Sequence, residues 1–239
     1  MSDVKHENDT LFKFWLANSI KNGSKLITSD HGGTYTGIYY NSMMVEDISD
    51  IAIRWFKPII KNNVQLPVLH LLNKKRNKNK NKRKYLLTVG FNGTKYPRHL
   101  FLAPIAGQCL YQVEYLSSFY KNLNSNLKDN FLFKPHSMKI GDWNFEKRLE
   151  HVFPKKIIYE SNRYWHYFNK SKIVVCTYPK TSFCESILSG PTILLFKENY
   201  FKNREEFKSL HENLRKVKIL FDDPVLASKH LNEIWNNVD

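Results

Sequence analysis

One block of sequence, residues 171–196 (SKIVVCTYPKTSFCESILSGPTILLF), limits the possible folds of this chain more than any other. Its apolar, β-branched run at 173–176 is typical of a buried strand. Residues 183–189 have the composition of a short helix, which Gly190 and Pro191 end. A second apolar run at 192–196 starts another buried strand. The block therefore predicts a strand, a loop, a helix and a second strand in succession.

The loop before the predicted helix carries two hydroxyls, Thr181 and Ser182, and Glu185 follows one turn later. The unpaired N–H groups and the dipole of a helix N-terminus favour a phosphate, and a carboxylate one turn in can accept hydrogen bonds from a ribose diol. Helix capping explains the same hydroxyls without a ligand, since a Thr or Ser cap stabilises a helix by about 1 kcal/mol. On this block alone both interpretations stay open, and capping is the commoner one.

The rest of the chain continues the alternation of helical and strand-like segments. Helices are predicted at 10–22, 111–127, 146–151, 163–170, 203–214 and 224–236, and strands at 25–28, 84–90, 130–134, 156–159 and 217–221, with a mixed apolar run at 48–60. Such alternation predicts an α/β fold with a Rossmann-like parallel sheet. Ligands of these sheets bind beyond the carboxyl ends of the strands, where His31, Gly90, His136 and Thr181 fall.

Two further loops carry residues suited to a phosphate. In the first, paired glycines (Gly32 and Gly33) allow close backbone approach, and His31 can bind or protonate a phosphate or leaving oxygen. In the second, Lys134 and His136 can both be cationic beside a diphosphate. A tight turn and a surface turn are equally good explanations of either loop alone. Three such loops at one edge of one sheet support each other.

The net charge of +15 suggests nucleic acid, but its distribution argues against that partner. Eight basic residues and no acid lie in residues 74–84, KKRNKNKNKRK, so one segment accounts for more than half of the excess. A disordered, solvated loop is the first interpretation, contact with anionic lipid the second, and non-specific nucleic-acid binding the third. Because the sequence has no recognition helix, RNA-binding signature or zinc site, we expect no nucleic-acid partner.

The three cysteines, Cys109, Cys176 and Cys184, lack the spacing of metal ligands. We expect small core residues in a reducing compartment rather than disulfides. The N-terminus is polar, and no apolar run approaches the roughly 18 residues that span a bilayer. The sequence therefore predicts a cytoplasmic protein, whose basic segment can contact the inner face of the membrane.

Taken in order, several blocks resemble the C-terminal part of GT-B-type glycosyltransferases of bacterial surface-polysaccharide clusters, in particular transferases of O-antigen regions. More distantly, they resemble capsule Kdo transferases, GT-B sialyltransferases and CDP-glycerol glycerophosphotransferases. The resemblance covers nearly the whole chain. Its blocks are KLITSDHGGTYTG (25–37), MVEDISDIAIRW (44–55), FLFKPHSMKIGDW (131–143), TYPKTSFCESILSGPTILLF (177–196) and DDPVLASKHLNEIW (222–235).

The resemblance implies a set of site residues. Two of them, His31 and His136, would be catalytic, and the donor-binding set would be Gly32, Gly33, Lys134, Thr181, Ser182 and Glu185. Lys134 and His136 match a Lys-x-His-Pro element that faces the donor phosphates, and His31 to Gly33 match an HGG loop at the interdomain cleft. Ser137 departs from the proline of many relatives, and Gly190 from their asparagine.

The resemblance also implies an organisation and an activity. Residues 1–60 would form an interdomain junction with the HGG loop, 61–84 a basic disordered loop, and 85–239 the Rossmann-like nucleotide-sugar-binding domain, the donor half of a GT-B fold. A partner chain would then supply the acceptor domain. The implied activity is metal-independent and cofactor-independent transfer of a sugar from a nucleotide donor, CMP-linked by analogy, to a lipid-linked or saccharide acceptor. The alternative is a non-catalytic nucleotide-binding remnant or subunit.

Overall fold

The computed structural model describes residues 9–30, 43–68, 71–72, 83–91, 95–96, 104–136, 143–159 and 164–238. Its smaller sheet has three parallel strands, β1 (Ile27–Ser29), β2 (Ile51–Arg54) and β3 (Asn63–Gln65), in the order β1-β2-β3. Helix α1 (Thr10–Lys21) precedes this sheet, and helix α2 (Met43–Ile48) lies between β1 and β2. Among the helices described, none has the length and apolarity that a bilayer span requires.

Local signals explain the ends of α1. The side chain of Asp9 accepts a hydrogen bond from the N–H of Phe12 at 2.9 Å, which caps the N-terminus. Gly23 follows the helix with φ of +90°, a conformation that favours glycine. The predicted helix and its glycine stop are thus confirmed.

The larger sheet has five parallel strands in the order β5-β4-β6-β7-β8. The strands are β4 (Tyr85–Val89), β5 (Phe131–Lys134), β6 (Ser171–Cys176), β7 (Thr192–Leu195) and β8 (Leu220–Phe221). From β4 the chain passes to β5 on one side and then crosses to β6 on the other. The direction of winding therefore reverses between β4 and β6, and such a reversal is where doubly wound sheets bind their ligands. The predicted α/β fold with a Rossmann-like parallel sheet is confirmed.

Helices cover both faces of this sheet because its strands alternate apolar residues between two cores. Within the described residues these helices are α3 (Tyr111–Lys121), α4 (Ser125–Asp129), α5 (Phe145–Glu150), α6 (Tyr164–Lys170), α7 (Thr181–Ser189), α8 (Lys208–Lys216) and α9 (Pro224–Ile234). Leu86 and Val175 belong to the core beneath α3, α5 and α9, whereas Leu87 and Val174 belong to the core beneath α6 and α7. Short 3-10 turns occupy Ala106–Leu110, Glu198–Tyr200 and Glu205–Phe207.

The cysteines lie mostly where the sequence predicted. Cys109 and Cys176 are buried in the two cores, Cys184 is half-buried, and all three are free thiols. Burial raises the pKa of the Cys176 thiol to about 12, so this side chain stays protonated and acts as a small core residue.

Three predicted elements differ in extent. The helix predicted at 111–127 ends at Lys121, and α4 starts anew because the side chain of Asn124 caps it, accepting from the N–H of Leu127 at 3.0 Å. The strand predicted at 217–221 is confined to β8, since Lys218 has φ of +57°, which an extended strand does not allow. The helix predicted from residue 203 begins at Lys208, after a 3-10 turn.

Two further predictions meet a different local structure. The segment predicted as a strand at 156–159 makes a single bridge, Phe133 with Ile157. Strand β3 lies inside the range 61–84 that was expected to be a loop, and it forms because β2 offers it an open parallel edge. Residues 73–82 of that basic segment lie outside the described residues.

A buried network of charges connects the two sheets. Glu46, 2% exposed, accepts from Asn63 at 2.8 Å, and its oxygens lie 3.4 Å from Arg54 and 3.3 Å from Arg204. Arg54 also pairs with Asp30 at 2.6 Å. Since Arg204 follows β7 and Glu46 lies on α2 beside the smaller sheet, the Glu46–Arg204 pair connects the smaller sheet to the larger one.

Candidate functional site

A cavity of about 310 Å³ opens at the carboxyl edge of β4, β5 and β6, where the winding reverses. It brings together five of the predicted site residues: Lys134, His136, Thr181, Ser182 and Glu185. The other lining residues are Val89, Pro135, Tyr164, Phe168, Tyr178 and Lys180. This position is the one where ligands of doubly wound sheets bind.

Close packing of β4 against β5 positions Lys134. Val89 pairs with Lys134 in register, and the N–H of Gly90 donates to the carbonyl oxygen of Lys134 at 2.8 Å. A Cβ atom on Gly90 would lie 2.6 and 2.9 Å from two ring atoms of Phe133, closer than real Cβ contacts. Glycine at this position therefore allows the ends of the two strands to come together beneath the cavity.

The side chain of Lys134 is buried, and its ammonium group has no counter-ion among the described residues. The residue is 7% exposed, and burial lowers the pKa of its ammonium group. Within the described part of the chain, the ammonium makes no ion pair or hydrogen bond, so no carboxylate offsets its desolvation. A buried, unpaired cation is unfavourable in an empty protein and favourable beside an anion. The cavity is therefore suited electrostatically to a negatively charged group.

Helix α7 directs its N-terminus to the same cavity. The helix begins at Thr181, two residues before the predicted start, and its N-cap is Lys180, whose side chain makes no capping hydrogen bond. An ammonium group cannot accept from the first-turn N–H groups. The capping interpretation of Thr181 and Ser182 is thus wrong, since both residues belong to the first turn itself. Burial lowers the pKa of Lys180 as well.

Tyr178 links the two halves of the cavity. Its hydroxyl oxygen lies 2.7 Å from the Ser182 hydroxyl oxygen, and its ring meets the His136 ring edge-on, with 6.2 Å between centroids. Tyr178 is buried, and burial raises the pKa of its phenol, which stays protonated. One aromatic side chain therefore contacts both the helix α7 side and the β5 side of the site.

Glu185 lies one turn into α7 and is 7% exposed. The hydroxyl of Tyr164, the first residue of α6, donates to its carboxylate at 3.4 Å. Burial, and then the nearby Glu185 charge, raise the pKa of the Tyr164 phenol. The site thus places a buried carboxylate along the same cavity as the Lys134 ammonium, which suits a ligand with both anionic and hydroxyl groups.

A buried amide holds the loops after β4 and β6 together. Gln112 on α3 lies 3.0 Å from the Thr177 hydroxyl, and its amide can donate to the Phe91 carbonyl oxygen at 2.6 Å and accept from the Phe91 N–H at 3.0 Å. The N–H of Thr177 in turn donates to the carbonyl oxygen of Val89 at 3.1 Å, and the Thr177 hydroxyl oxygen lies 2.9 Å from the same carbonyl oxygen. These bonds fix the floor of the cavity at the reversal point.

Sequence reasoning missed four of these residues. Tyr178 and Lys180 directly precede the predicted Thr181 and Ser182, so their position in the loop was a usable signal. Gln112 and Tyr164 lie on helices distant in sequence, and no local pattern indicates their role.

The remaining predicted residues, His31, Gly32 and Gly33, lie outside the described residues, as does Ser137. Their neighbour Asp30 is described: its carboxylate accepts from Arg54 at 2.6 Å and from the N–H of Trp55 at 2.9 Å. Asp30 therefore anchors the carboxyl end of β1 to the end of β2. Among the residues with described placement, no group of three or more His, Cys, Asp or Glu side chains could hold a metal ion.

Comparison with known proteins adds a family to this geometry. The sequence matches no curated protein. A family model described as LIC12162 family transferase matches residues 1–239. The chain therefore belongs to the LIC12162 family of transferases.

Proposed function

We propose that this transferase binds the phosphate of a nucleotide-linked sugar in the cavity at the β4–β6 reversal. The observation that carries the proposal is the buried side chain of Lys134, whose ammonium has no counter-ion in the described structure. The uncapped N-terminus of α7 supports it independently, because first-turn N–H groups and the helix dipole both favour an anion. An anionic ligand would give the Lys134 ammonium a counter-charge and the first-turn N–H groups of α7 an acceptor.

The chemistry follows from this placement. When an acceptor hydroxyl attacks the anomeric carbon of the sugar, the bond from that carbon to the phosphate oxygen breaks and the nucleotide leaves with the electron pair. Lys134, His136 and the α7 N-terminus would stabilise the negative charge that develops on the leaving phosphate. Glu185 would accept hydrogen bonds from the ribose diol. The acceptor's proton passes to a base; for His31 the prediction leaves three roles open, those of acid, base and phosphate ligand.

The biological reaction we propose is sugar transfer in bacterial surface-polysaccharide or O-antigen assembly, with the chain as the donor half of a GT-B enzyme. This rests on the resemblance of the sequence blocks and on the transferase family. The donor would be CMP-linked, the acceptor lipid-linked or a saccharide, and a partner chain would supply the acceptor domain. A cytoplasmic location with peripheral membrane contact belongs to the same proposal.

Isothermal titration of CMP, UMP, UDP, GDP and pyrophosphate into the purified chain tests the proposal. We expect at least one nucleotide to bind, and His136→Ala or Lys134→Ala to weaken it by about tenfold or more, as loss of a hydrogen bond to a charged group does. Lys121→Ala is the matched control, because Lys121 is exposed on α3 and does not line the cavity.

The outcomes separate the alternatives. No binding of any of the five ligands, by a chain whose melting curve shows it to be folded, would contradict the proposal. Binding that is insensitive to Lys134→Ala would place the ligand elsewhere. Nucleotide binding without hydrolysis or transfer, even with saccharide acceptors, would favour a non-catalytic nucleotide-binding subunit.

A further inference from the structure

Within the cavity, the hydroxyls of Tyr178 and Ser182 are hydrogen-bonded to each other. The Tyr178 hydroxyl oxygen lies 2.7 Å from the Ser182 hydroxyl oxygen, across the β6–α7 loop. The Tyr178 ring is 7% exposed and packs against Phe91 (5.7 Å between centroids) as well as His136 (6.2 Å). The phenol therefore cannot swing away from Ser182 without disturbing both neighbours.

The direction of the hydrogen bond between these hydroxyls follows from their chemistry. A phenol is more acidic than an aliphatic alcohol and is the better donor, and burial keeps the Tyr178 phenol protonated by raising its pKa. In the described structure Ser182 is the hydrogen-bond partner of the Tyr178 hydroxyl. With Tyr178 donating to it, Ser182 retains its own proton for a different acceptor. Since Ser182 lines the cavity, that acceptor can be a ligand.

We propose that Tyr178 is a positioning residue that holds the Ser182 hydroxyl so that its proton points at a phosphate oxygen of the bound donor. This rests on the proposed function of the cavity. The pair forms a relay of donors, from phenol to serine to phosphate, in which each hydrogen bond polarises the next. It extends the donors of the α7 N-terminus by one oriented hydroxyl. A phosphate oxygen only accepts hydrogen bonds, so a relay that ends in the Ser182 O–H donor matches it.

A double-mutant cycle tests the relay, with CMP and pyrophosphate as the probes and isothermal titration as the assay. We expect Tyr178→Phe to raise the Kd of the tighter probe by about 5- to 20-fold, as loss of one donor in a charge-assisted network does. Ser182→Ala should raise it by a similar factor. The double variant should bind no more weakly than Ser182→Ala alone, because the phenol acts only through the serine. The phosphorus-31 NMR shift of the bound probe should also change in Tyr178→Phe.

The control is Tyr120→Phe, which removes the hydroxyl of a half-buried tyrosine on α3 that does not line the cavity, and which should leave Kd unchanged. Fully additive losses in the cycle would show that Tyr178 acts independently of Ser182 and would overturn the relay. An unchanged Kd in Tyr178→Phe would overturn it too. If the folded wild-type chain binds neither probe, both the relay and phosphate binding in the cavity are wrong, whereas binding by wild type with either of the first two results refutes the relay alone.

Discussion

Replacing Lys134 with methionine is expected to stabilise the fold and to weaken anion binding at the same time. The side chain is 7% exposed, and its ammonium lacks a counter-ion in the described structure. Methionine has a similar length and no charge to desolvate. Replacing buried charge by an apolar group of similar volume commonly stabilises by about 1–3 kcal/mol. For a chain of this size, that free energy corresponds to a rise in Tm of about 2–12 °C.

The same substitution removes one charge-assisted hydrogen bond to a bound phosphate. Such a bond contributes about 1.5–3 kcal/mol, so the Kd for CMP should rise by about 10- to 150-fold. A binding site that contains an unpaired buried charge lowers the stability of the fold and raises the affinity for the ligand, so removing the charge changes the two quantities in opposite directions.

Differential scanning calorimetry and isothermal titration measure the two effects on the same samples. Lys121→Met, on the exposed surface of α3, is the matched control, and neither quantity should change beyond a few tenths of a kcal/mol. A fall in Tm on Lys134→Met would refute the reasoning, since it would mean that the ammonium already has a stabilising partner. A rise in Tm with unchanged affinity would refute its role in anion binding.

Other substitutions and conditions test the parts around this site. Gly90→Ala should lower the free energy of unfolding by about 1–3 kcal/mol in urea titrations, because its Cβ would press on the buried Phe133 ring; an unchanged midpoint would refute that contact. Glu46→Gln should cost about 3 kcal/mol in the same assay, because Arg204 and its neighbours lose a buried counter-charge, and a loss below 1 kcal/mol would show the network to be weak. CMP affinity should fall as the pH rises from 7 to 10. Burial lowers the pKa of Lys134 in the free protein, and a bound phosphate raises it again. Binding of CMP therefore takes up a proton, which becomes less favourable as the pH rises. Calorimetric titrations across this range check the slope, which should be shallower in Lys134→Met; an equal slope would contradict the assignment.

A chain of buried ion pairs runs from the end of β1 to the residues that follow β7. Asp30 ends the first strand of the smaller sheet, and its partner Arg54 also contacts Glu46, which reaches Arg204 beyond β7. The carboxyl end of β1 is therefore connected through buried pairs to the sheet that carries the cavity.

The α/β class, the parallel larger sheet and the element ends where Lys134, His136 and Thr181 lie were all predictable from the sequence. Each rests on local patterns: β-branched runs of strand length, helical spacing of apolar residues, and Gly or Pro at their ends. The edge of the sheet where these loops gather was predictable as well, because parallel strands place all their carboxyl ends on one side.

The strand order, the capping of α7 and the partners of each site residue depended on tertiary structure. The order β5-β4-β6-β7-β8 arises from which faces the crossing helices cover, and no local pattern records that. The burial of Lys134 without a counter-ion among the described residues, and the contacts of Tyr178 with Ser182 and His136, are visible only in the folded structure. Local sequence determines which hydrogen bonds and dihedral angles are favourable within a few residues. Burial and the pairing of charges are properties of groups brought together from distant parts of the chain, so only the folded structure determines them.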